Sequence, residues 1–159
     1  MKNISRDELS EILRGMRISR RLVRDLRFVP EEISYVNQRD FLAVYTKSGT
    51  EGVLLYKDMT RPFELKKRMP NSSGRVEAVI CDICATWQRG TNSAMLTLYK
   101  DKKHTISHLV CADLDCSLHV RDLTDESKLS RTQLREHLTP EARIARLEER
   151  LTEIMKNVG

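Results

Sequence analysis

Aromatic side chains are scarce in this sequence of 159 residues, which contains only three Phe, one Trp and four Tyr. Hydrophobic residues make up 40% of the chain, so we expect a mainly aliphatic core of modest size. A chain of this length forms one domain, or one compact domain with a helical appendage. A bound metal ion would help to stabilise such a small core.

Long apolar runs, glycine-rich loops and catalytic motifs are also missing. No apolar run approaches the roughly 18 residues of a membrane-spanning helix. The six glycines form no phosphate-binding loop, and no Ser/His/Asp or paired-carboxylate motif has a recognisable context. We therefore predict that the protein is not an enzyme. The first residues run into a charged helix without an apolar signal segment, so we expect a reducing, cytoplasmic location.

Cysteine is limited to four residues, which fall into two close pairs. Two residues lie between Cys81 and Cys84, four lie between Cys111 and Cys116, and 26 separate the pairs. This spacing is typical of a closed four-thiolate zinc site, which is structural because no ligand position remains for water or substrate. Two disulfides or four unrelated thiols are the alternatives, and a reducing compartment disfavours the disulfides. His119 is the one histidine placed to substitute for a cysteine, but four thiolates already complete the tetrahedron.

The N-terminal part of the chain has a helical period. Ser5 and Glu8 form a capping box ahead of an apolar face that continues to about Arg27. The segment is either one helix or two helices joined near Gly15, and Pro30 ends it.

The middle of the chain alternates with a period of two. Residues 33–36, 41–46 and 52–56 read as strands of a small antiparallel meander. Residues 57–75 contain two prolines and several Lys and Arg residues, and we interpret them as a basic, mobile connection.

The second half follows the order of a treble-clef finger. A strand over 76–80 leads to the first cysteine pair, residues 94–99 and 105–110 form a hairpin, and a short helical turn begins near Cys116. Residues 122–135 read as a linker or a weak helix. Thr139 and Pro140 then begin an amphipathic helix of about 18 residues. We expect its apolar seam to dock on the N-terminal helix; self-association and capture of another protein are the alternatives.

Basic residues are concentrated at the N terminus of a chain whose net charge is +5. Arg14, Arg17, Arg21 and Arg24 recur at three and four residues, which on one helix would form a stripe. The stripe is either a solvated face or a patch for ribosomal RNA or an acidic protein. Further candidate partner-binding residues lie beside the proposed metal module: Trp87, Arg89, Lys100, Lys102, Lys103 and Arg121. For Trp87, packing in the core is an equal alternative.

Three segments together resemble a known family. Residues 110–121, which read Val-Cys-Ala-Asp-Leu-Asp-Cys-Ser-Leu-His-Val-Arg, occur with the upstream Cys81-Asp-Ile-Cys84 and the downstream Glu141-Ala-Arg-Ile-Ala-Arg-Leu147. This combination resembles the elongation factor G-binding protein family of treble-clef zinc fingers, which includes the fusidic-acid resistance proteins. The chain looks like the short form found in actinobacteria, without the N-terminal four-helix bundle of the staphylococcal members.

The resemblance implies zinc ligation by Cys81, Cys84, Cys111 and Cys116, and binding of elongation factor G. We predict an α+β fold: a small antiparallel sheet with a four-cysteine treble-clef zinc finger, flanked by N-terminal and C-terminal helices. The predicted division is a basic helical segment over 1–29, an α+β domain over 30–122 with its finger at 81–122, and a linker with a helix over 123–159. The expected function is non-enzymatic binding of elongation factor G or of the ribosome near the factor site, with promotion of factor release. A zinc-stabilised module that binds ribosomal RNA directly is the alternative.

Overall fold

The structure is a computed structural model that describes residues 4–16, 18–101 and 103–158. It has the predicted α+β architecture. Along the chain the elements are α1 (Arg6–Arg14), α2 (Arg20–Asp25), β1 (Leu42–Tyr45), β2 (Glu51–Tyr56), β3 (Met59–Lys67), β4 (Val79–Ile80), β5 (Trp87–Gln88), β6 (Ser93–Tyr99), β7 (Thr105–Cys111), α3 (Cys116–His119), α4 (Asp125–Leu134) and α5 (Pro140–Asn157).

A five-stranded antiparallel sheet with the order β1-β2-β3-β6-β7 forms the centre of the molecule. A separate two-stranded hairpin of β4 and β5 lies beside it. The predicted strands over 41–46 and 52–56 and the hairpin over 94–110 are confirmed. Within the described ranges, no helix combines the length and the apolar character needed to cross a membrane.

Strand β3 replaces much of the connection predicted for residues 57–75, and that prediction was wrong. Pro62 and the neighbouring cations concealed the strand, because proline cannot donate a ladder hydrogen bond. The Leu65 N–H points toward β2, where Thr50 O accepts it at 2.8 Å. Backbone groups alternate along a strand, so the nitrogen of Pro62 faces the β6 side. Pairing with β6 begins only at Phe63, so the missing N–H of Pro62 costs no ladder bond.

The two faces of the sheet carry different helices. Leu9 and Leu13 of α1 pack with Val44, Val53 and other residues on one face. Leu147, Leu151 and Met155 of α5 pack on the opposite face, with the cysteine cluster and the centre of the sheet. The start of α5 at Pro140 with Thr139 as N-cap is confirmed, but its predicted docking on the N-terminal helix was wrong. The apolar seam of α5 instead covers the sheet, where the Tyr56 hydroxyl donates to Glu148 O at 3.2 Å.

The N-terminal segment forms two helices, of which the first has the predicted capping box of Ser5 and Glu8. Because α1 ends at Arg14 and α2 starts at Arg20, the predicted single arginine stripe does not form. Arg21 and Arg24 lie on α2, both largely exposed and both within ion-pair distance of Asp25. Arg17 lies outside the described residues.

One strand prediction was wrong, and of the two alternatives for residues 122–135 the helix is confirmed. Residues 33–36 do not form a strand: 3₁₀ turns occupy Pro30–Glu32 and Val36–Gln38, and Tyr35 between them has a left-handed φ of 51°. Residues 122–135 contain α4, a full helix of ten residues whose N-cap Thr124 accepts a hydrogen bond from the Ser127 N–H. The division into segments at 29 and 122 stays a prediction.

Candidate metal centre

The first cysteine pair sits on the tight turn between β4 and β5. Cys81 O accepts a hydrogen bond from the Ala85 N–H at 2.8 Å, which closes the turn. The Cys84 N–H lies 3.5 Å from Cys81 Sγ. Ala85 has a left-handed φ of 57°, which reverses the chain within four residues. The turn therefore directs both sulfurs to the same side.

The second pair comes from the end of β7 and the start of α3. Cys111 is the last residue of β7, and Cys116 is the first residue of α3. In the loop between them Leu114 adopts a left-handed φ of 52° and its N–H donates to Cys111 O at 3.1 Å. The predicted positions of both cysteines, at a strand end and at a helix start, are confirmed.

The four sulfurs form a compact, fully buried cluster. All four cysteines have 0% relative exposure, and their sulfurs lie within 4.8 Å of one another. The sulfur–sulfur distances are 3.7 Å for Cys81–Cys116, 3.6 Å for Cys84–Cys111 and 3.7 Å for Cys111–Cys116. A regular ZnS₄ tetrahedron with bonds of about 2.3 Å has edges of about 3.8 Å. The same separations are far beyond the roughly 2.05 Å of a disulfide. The residues therefore fit a tetrahedral zinc ion.

Because the cluster is buried, its thiols resist ionisation unless a cation is bound among them. Burial raises the pKa of the Cys111 and Cys116 thiols well above their usual value. Burial also opposes ionisation of Cys81, but hydrogen bonds from the Cys111 and Cys116 thiols outweigh it and hold the pKa of Cys81 well below its usual value. Four thiolates can share this apolar site only with a divalent cation among them, and a metal with this ligand set is structural.

A chain of hydrogen-bonded polar side chains, buried at Thr86 and Gln88 and reaching the surface at Asp113, runs from the cluster to the loop after β7. Thr86 Oγ1 lies 2.8 Å from Cys84 Sγ and accepts a hydrogen bond from Gln88 Nε2 at 2.7 Å. Asn92 Nδ2 donates to Gln88 Oε1 at 2.9 Å and to Asp113 Oδ2 at 2.8 Å. This relay links the loops that carry the two cysteine pairs. Sequence reasoning missed it, because no spacing signal marks isolated Thr, Gln and Asn residues.

His119 extends the relay and does not replace a cysteine. It is 1% exposed; its Nε2 lies 3.3 Å from Asp113 Oδ1, and its Nδ1 lies 2.7 Å from Thr124 Oγ1. Cys111, Asp113 and His119 come close enough to form a second ligand group. Because that group shares Cys111 with the four-sulfur cluster, we assign Asp113 and His119 to the surroundings of the same site.

Replacing Thr86 by valine is expected to weaken zinc binding about tenfold. Valine keeps the shape of the side chain but removes its contact with Cys84 Sγ and leaves Gln88 Nε2 without its acceptor. Loss of an outer hydrogen bond of this kind typically costs 10- to 100-fold in metal affinity. Competition with a coloured zinc chelator measures the change, and Thr105→Val at an exposed strand position is the matched control. Equal affinities for both variants would contradict the role of the relay.

Two ion pairs fasten residues 39–40 to residues 111–121, the segment from Cys111 through α3 that is called the metal loop below. Arg39 Nη1 lies 2.7 Å from Asp115 Oδ1. Arg121 binds Asp40 through its two terminal guanidinium nitrogens, at 2.6 and 2.8 Å, and the side chains of Arg121 and Asp40 are only 20% and 10% exposed. Ser117 Oγ accepts the Asp40 N–H at 2.9 Å. Because the ion pair with Asp40 occupies the guanidinium of Arg121, the position of Arg121 does not support its predicted use in partner binding.

The remaining predicted partner-binding residues are scattered over the finger and the β6–β7 turn. The side chain of Trp87 is half-buried under α4, and the Trp87 backbone N–H donates to Ser130 Oγ at 2.8 Å. Arg89 binds Glu126 and remains 56% exposed. Lys100 and Lys103 are exposed, whereas Lys102 lies outside the described residues. Their roles in partner binding stay predictions.

Comparison with protein families identifies the fold of this site. The family model described as the FBP C-terminal treble-clef zinc-finger matches residues 16–158. Neither the curated proteins nor the solved structures include a match to this chain. The family and the four clustered cysteines together support one structural zinc ion. The matched region contains the cysteine-bearing turn between β4 and β5, the β6–β7 hairpin and the fourth cysteine at the start of α3. The chain therefore belongs to the FBP C-terminal treble-clef zinc-finger family.

Proposed function

We propose that this protein is a non-enzymatic zinc-stabilised factor that binds elongation factor G, free or at the factor site of the ribosome, and promotes its release. Cys81, Cys84, Cys111 and Cys116 ligate the zinc ion in this proposal. The observation that carries the proposal is the family match over residues 16–158, because the fusidic-acid resistance proteins of that family bind this factor.

The surroundings of the metal support a binding role. Four sulfur ligands leave no coordination position for water or substrate, so the ion stiffens loops and does not activate a reactant. The Arg39–Asp115 and Asp40–Arg121 pairs hold the metal loop against the segment before β1. Loops fixed before binding lose less conformational entropy when a partner docks on them.

Direct binding to ribosomal RNA is the competing function, and exposed arginines on the N-terminal helices favour it. Arg14 and Arg20 are exposed, and neither forms an ion pair with any residue that the structure describes. Guanidinium groups of this kind suit phosphate oxygens. The two functions predict different salt dependences, because binding dominated by phosphate contacts falls steeply and linearly in log–log form as salt rises.

Titration calorimetry with the zinc-loaded chain and purified elongation factor G tests the proposal. We expect saturable binding without RNA, a shallow salt dependence, and at least tenfold weaker binding by the double variant Lys100→Glu/Lys103→Glu, which reverses two exposed cations beside the finger. Lys156→Glu, an exposed reversal on α5, is the control. Binding to ribosomes but not to the purified factor, abolished by nuclease and by moderate salt, would overturn the proposal in favour of RNA binding.

A further inference from the structure

A surface cleft of about 390 Å³ lies between α1 and the segment that follows α2. Its volume is within the range of about 300–1,000 Å³ that is typical of ligand sites. Six of its ten lining residues are apolar and form the floor: Leu9, Leu13, Val23, Leu26, Phe28 and Val29. Leu9 and Leu13 are buried, whereas the other four remain partly exposed. Covering those four residues would remove apolar surface from water, which is favourable.

Backbone hydrogen bonds fix the wall that faces α1. The Arg27 N–H donates to Tyr45 O at 2.8 Å, and the Lys47 N–H donates to Asp25 O at 3.2 Å. Residues 25–27 therefore run antiparallel to the end of β1, with a bridge between Leu26 and Thr46. This pairing places Lys47 beside the floor of the cleft on one wall. Arg6, in the first turn of α1, lines the other wall.

The charged residues that line the cleft are all basic, namely Arg6, Arg27 and Lys47. Arg27 is paired with Glu32, whose two carboxylate oxygens lie 3.1 and 3.2 Å from Arg27 Nη2. The side chains of Arg6 and Lys47 are exposed, and neither forms a hydrogen bond or an ion pair with any residue that the structure describes. The cleft therefore offers two unpaired cations, one on each wall, above an apolar floor.

The carboxylates near the cleft leave this charge in place. Glu32 does not line the cleft, and it is engaged by Arg27. The carboxylate of Asp25 lies 3.2 Å from Arg24 Nε, on the exposed side of α2. Asp7 follows Arg6 in sequence but lies about 100° further around α1, outside the lining. The lining of the cleft is therefore positive.

The floor suits the side chains of a protein better than the bases of a nucleic acid. Single-stranded nucleic acids are held by aromatic side chains on which successive bases stack. Phe28 is the one aromatic residue among the described residues that line this cleft, and the other five floor residues are aliphatic. A floor of this composition favours aliphatic and aromatic side chains as its ligands.

We propose that this cleft binds a short segment of a partner protein in which two or more apolar side chains are flanked by Asp or Glu. The apolar side chains cover Leu26 and Phe28, and the carboxylates approach Arg6 and Lys47. Charge complementarity selects an acidic segment over a basic one. Because α1 precedes residue 16, where the family match begins, one wall of the cleft lies outside the matched domain. The proposal therefore does not depend on elongation factor G as the partner.

Selection of random twelve-residue peptides displayed on phage, against the full zinc-loaded chain, tests the proposal. We expect enriched peptides to carry at least two apolar residues together with Asp or Glu. As synthetic peptides they are expected to bind at least tenfold more weakly to Arg6→Glu/Lys47→Glu, which reverses both unpaired cations. They are also expected to bind at least tenfold more weakly to Ser10→Trp. Ser10 is an exposed residue of α1 that lines the cleft, so the indole would fill the cleft without changing its charge.

Lys100→Glu/Lys103→Glu is the matched control, because it makes the same charge change at exposed residues that do not line the cleft. It is expected to bind the peptides like the original chain, although the proposed function predicts that it binds elongation factor G weakly. A single-stranded RNA of twelve nucleotides is expected not to displace the peptides.

Three outcomes would overturn the cleft proposal alone. They are failure to enrich acidic–apolar peptides, equal peptide binding by the two double variants, and displacement of the peptides by the RNA at moderate salt, which would assign the two cations to phosphate binding. Absence of factor binding with normal peptide binding would overturn the proposed function alone.

Discussion

Replacing Cys116 by serine is expected to abolish stable folding of the metal module and of α5. The four cysteines belong to the same buried cluster as Leu147, Leu151 and Met155. Loss of the ion would therefore leave uncoordinated sulfur atoms in the core beneath α5. Structural zinc contributes about 10–16 kcal/mol in small zinc domains. This is comparable to the entire stability of about 5–15 kcal/mol of an ordinary domain.

Three measurements check this expectation. Elemental analysis should give one zinc ion per chain for the original protein and clearly less for Cys116→Ser. Amide hydrogen exchange should lose protection from β4 through α5. Thermal unfolding should lose its cooperative transition. Ser107→Ala, at an exposed position of β7, should behave as the original protein does. A variant without zinc that still melts cooperatively at the original temperature would show that the metal does not hold the fold.

The second large effect is expected at Asp122, where replacement by asparagine should destabilise the protein by about 3 kcal/mol. Arg143 of α5 is only 3% exposed at its side chain, and its two terminal nitrogens bind Asp122 at 2.9 and 2.6 Å. Removing the anion leaves a guanidinium charge buried without its counterion, which typically costs 3–5 kcal/mol. Asparagine tolerates the left-handed φ of 59° at this position, so the effect reports the charge and not backbone strain.

Denaturant unfolding at saturating zinc measures the loss, with two comparison variants. Arg131, the more exposed partner of Asp122, is 45% exposed and lies 3.1 Å from the Asp122 carboxylate. The variant Arg131→Gln is expected to lose less than about 1 kcal/mol of stability. The double variant Asp122→Asn/Arg143→Met removes both members of the buried pair and is expected to recover most of the stability. If the single and double variants lose the same stability, the buried charge is not the cause.

Local chemistry explains which elements could be predicted from sequence. The capping box of Ser5 and Glu8 and the Thr139–Pro140 start of α5 are satisfied within one helical turn, so neighbouring residues determine them. The cysteine spacing is equally local on each side of the site, and the structure brings the two pairs together as predicted. Strand β3 could not be predicted this way. Whether Pro62 breaks a strand depends on whether the paired part of β6 reaches it, and that is a property of the assembled sheet.

Long-range contacts explain the remaining differences. The face on which α5 docks depends on which side of the sheet α1 covers, and both helices have amphipathic patterns that fit either face. The arginine stripe depended on one continuous helix, but α1 ends at Arg14 and α2 starts only at Arg20. The relay through Thr86, Gln88 and Asn92 joins loops that are distant in sequence, and only the assembled loops show that these side chains meet.

The ion pairs of Arg39 and Asp40 with the metal loop also limit how this finger can be reused. A peptide of residues 79–121 cut out of the chain would keep Asp115 and Arg121 but lose both of their counterions, and Ser117 would lose the backbone N–H that it accepts. Grafted onto another protein, the peptide could still bind zinc, but its second loop would lack the braces that set its orientation. A functional graft would have to include residues 34–40 as well, although 38 residues separate that stretch from the start of the hairpin.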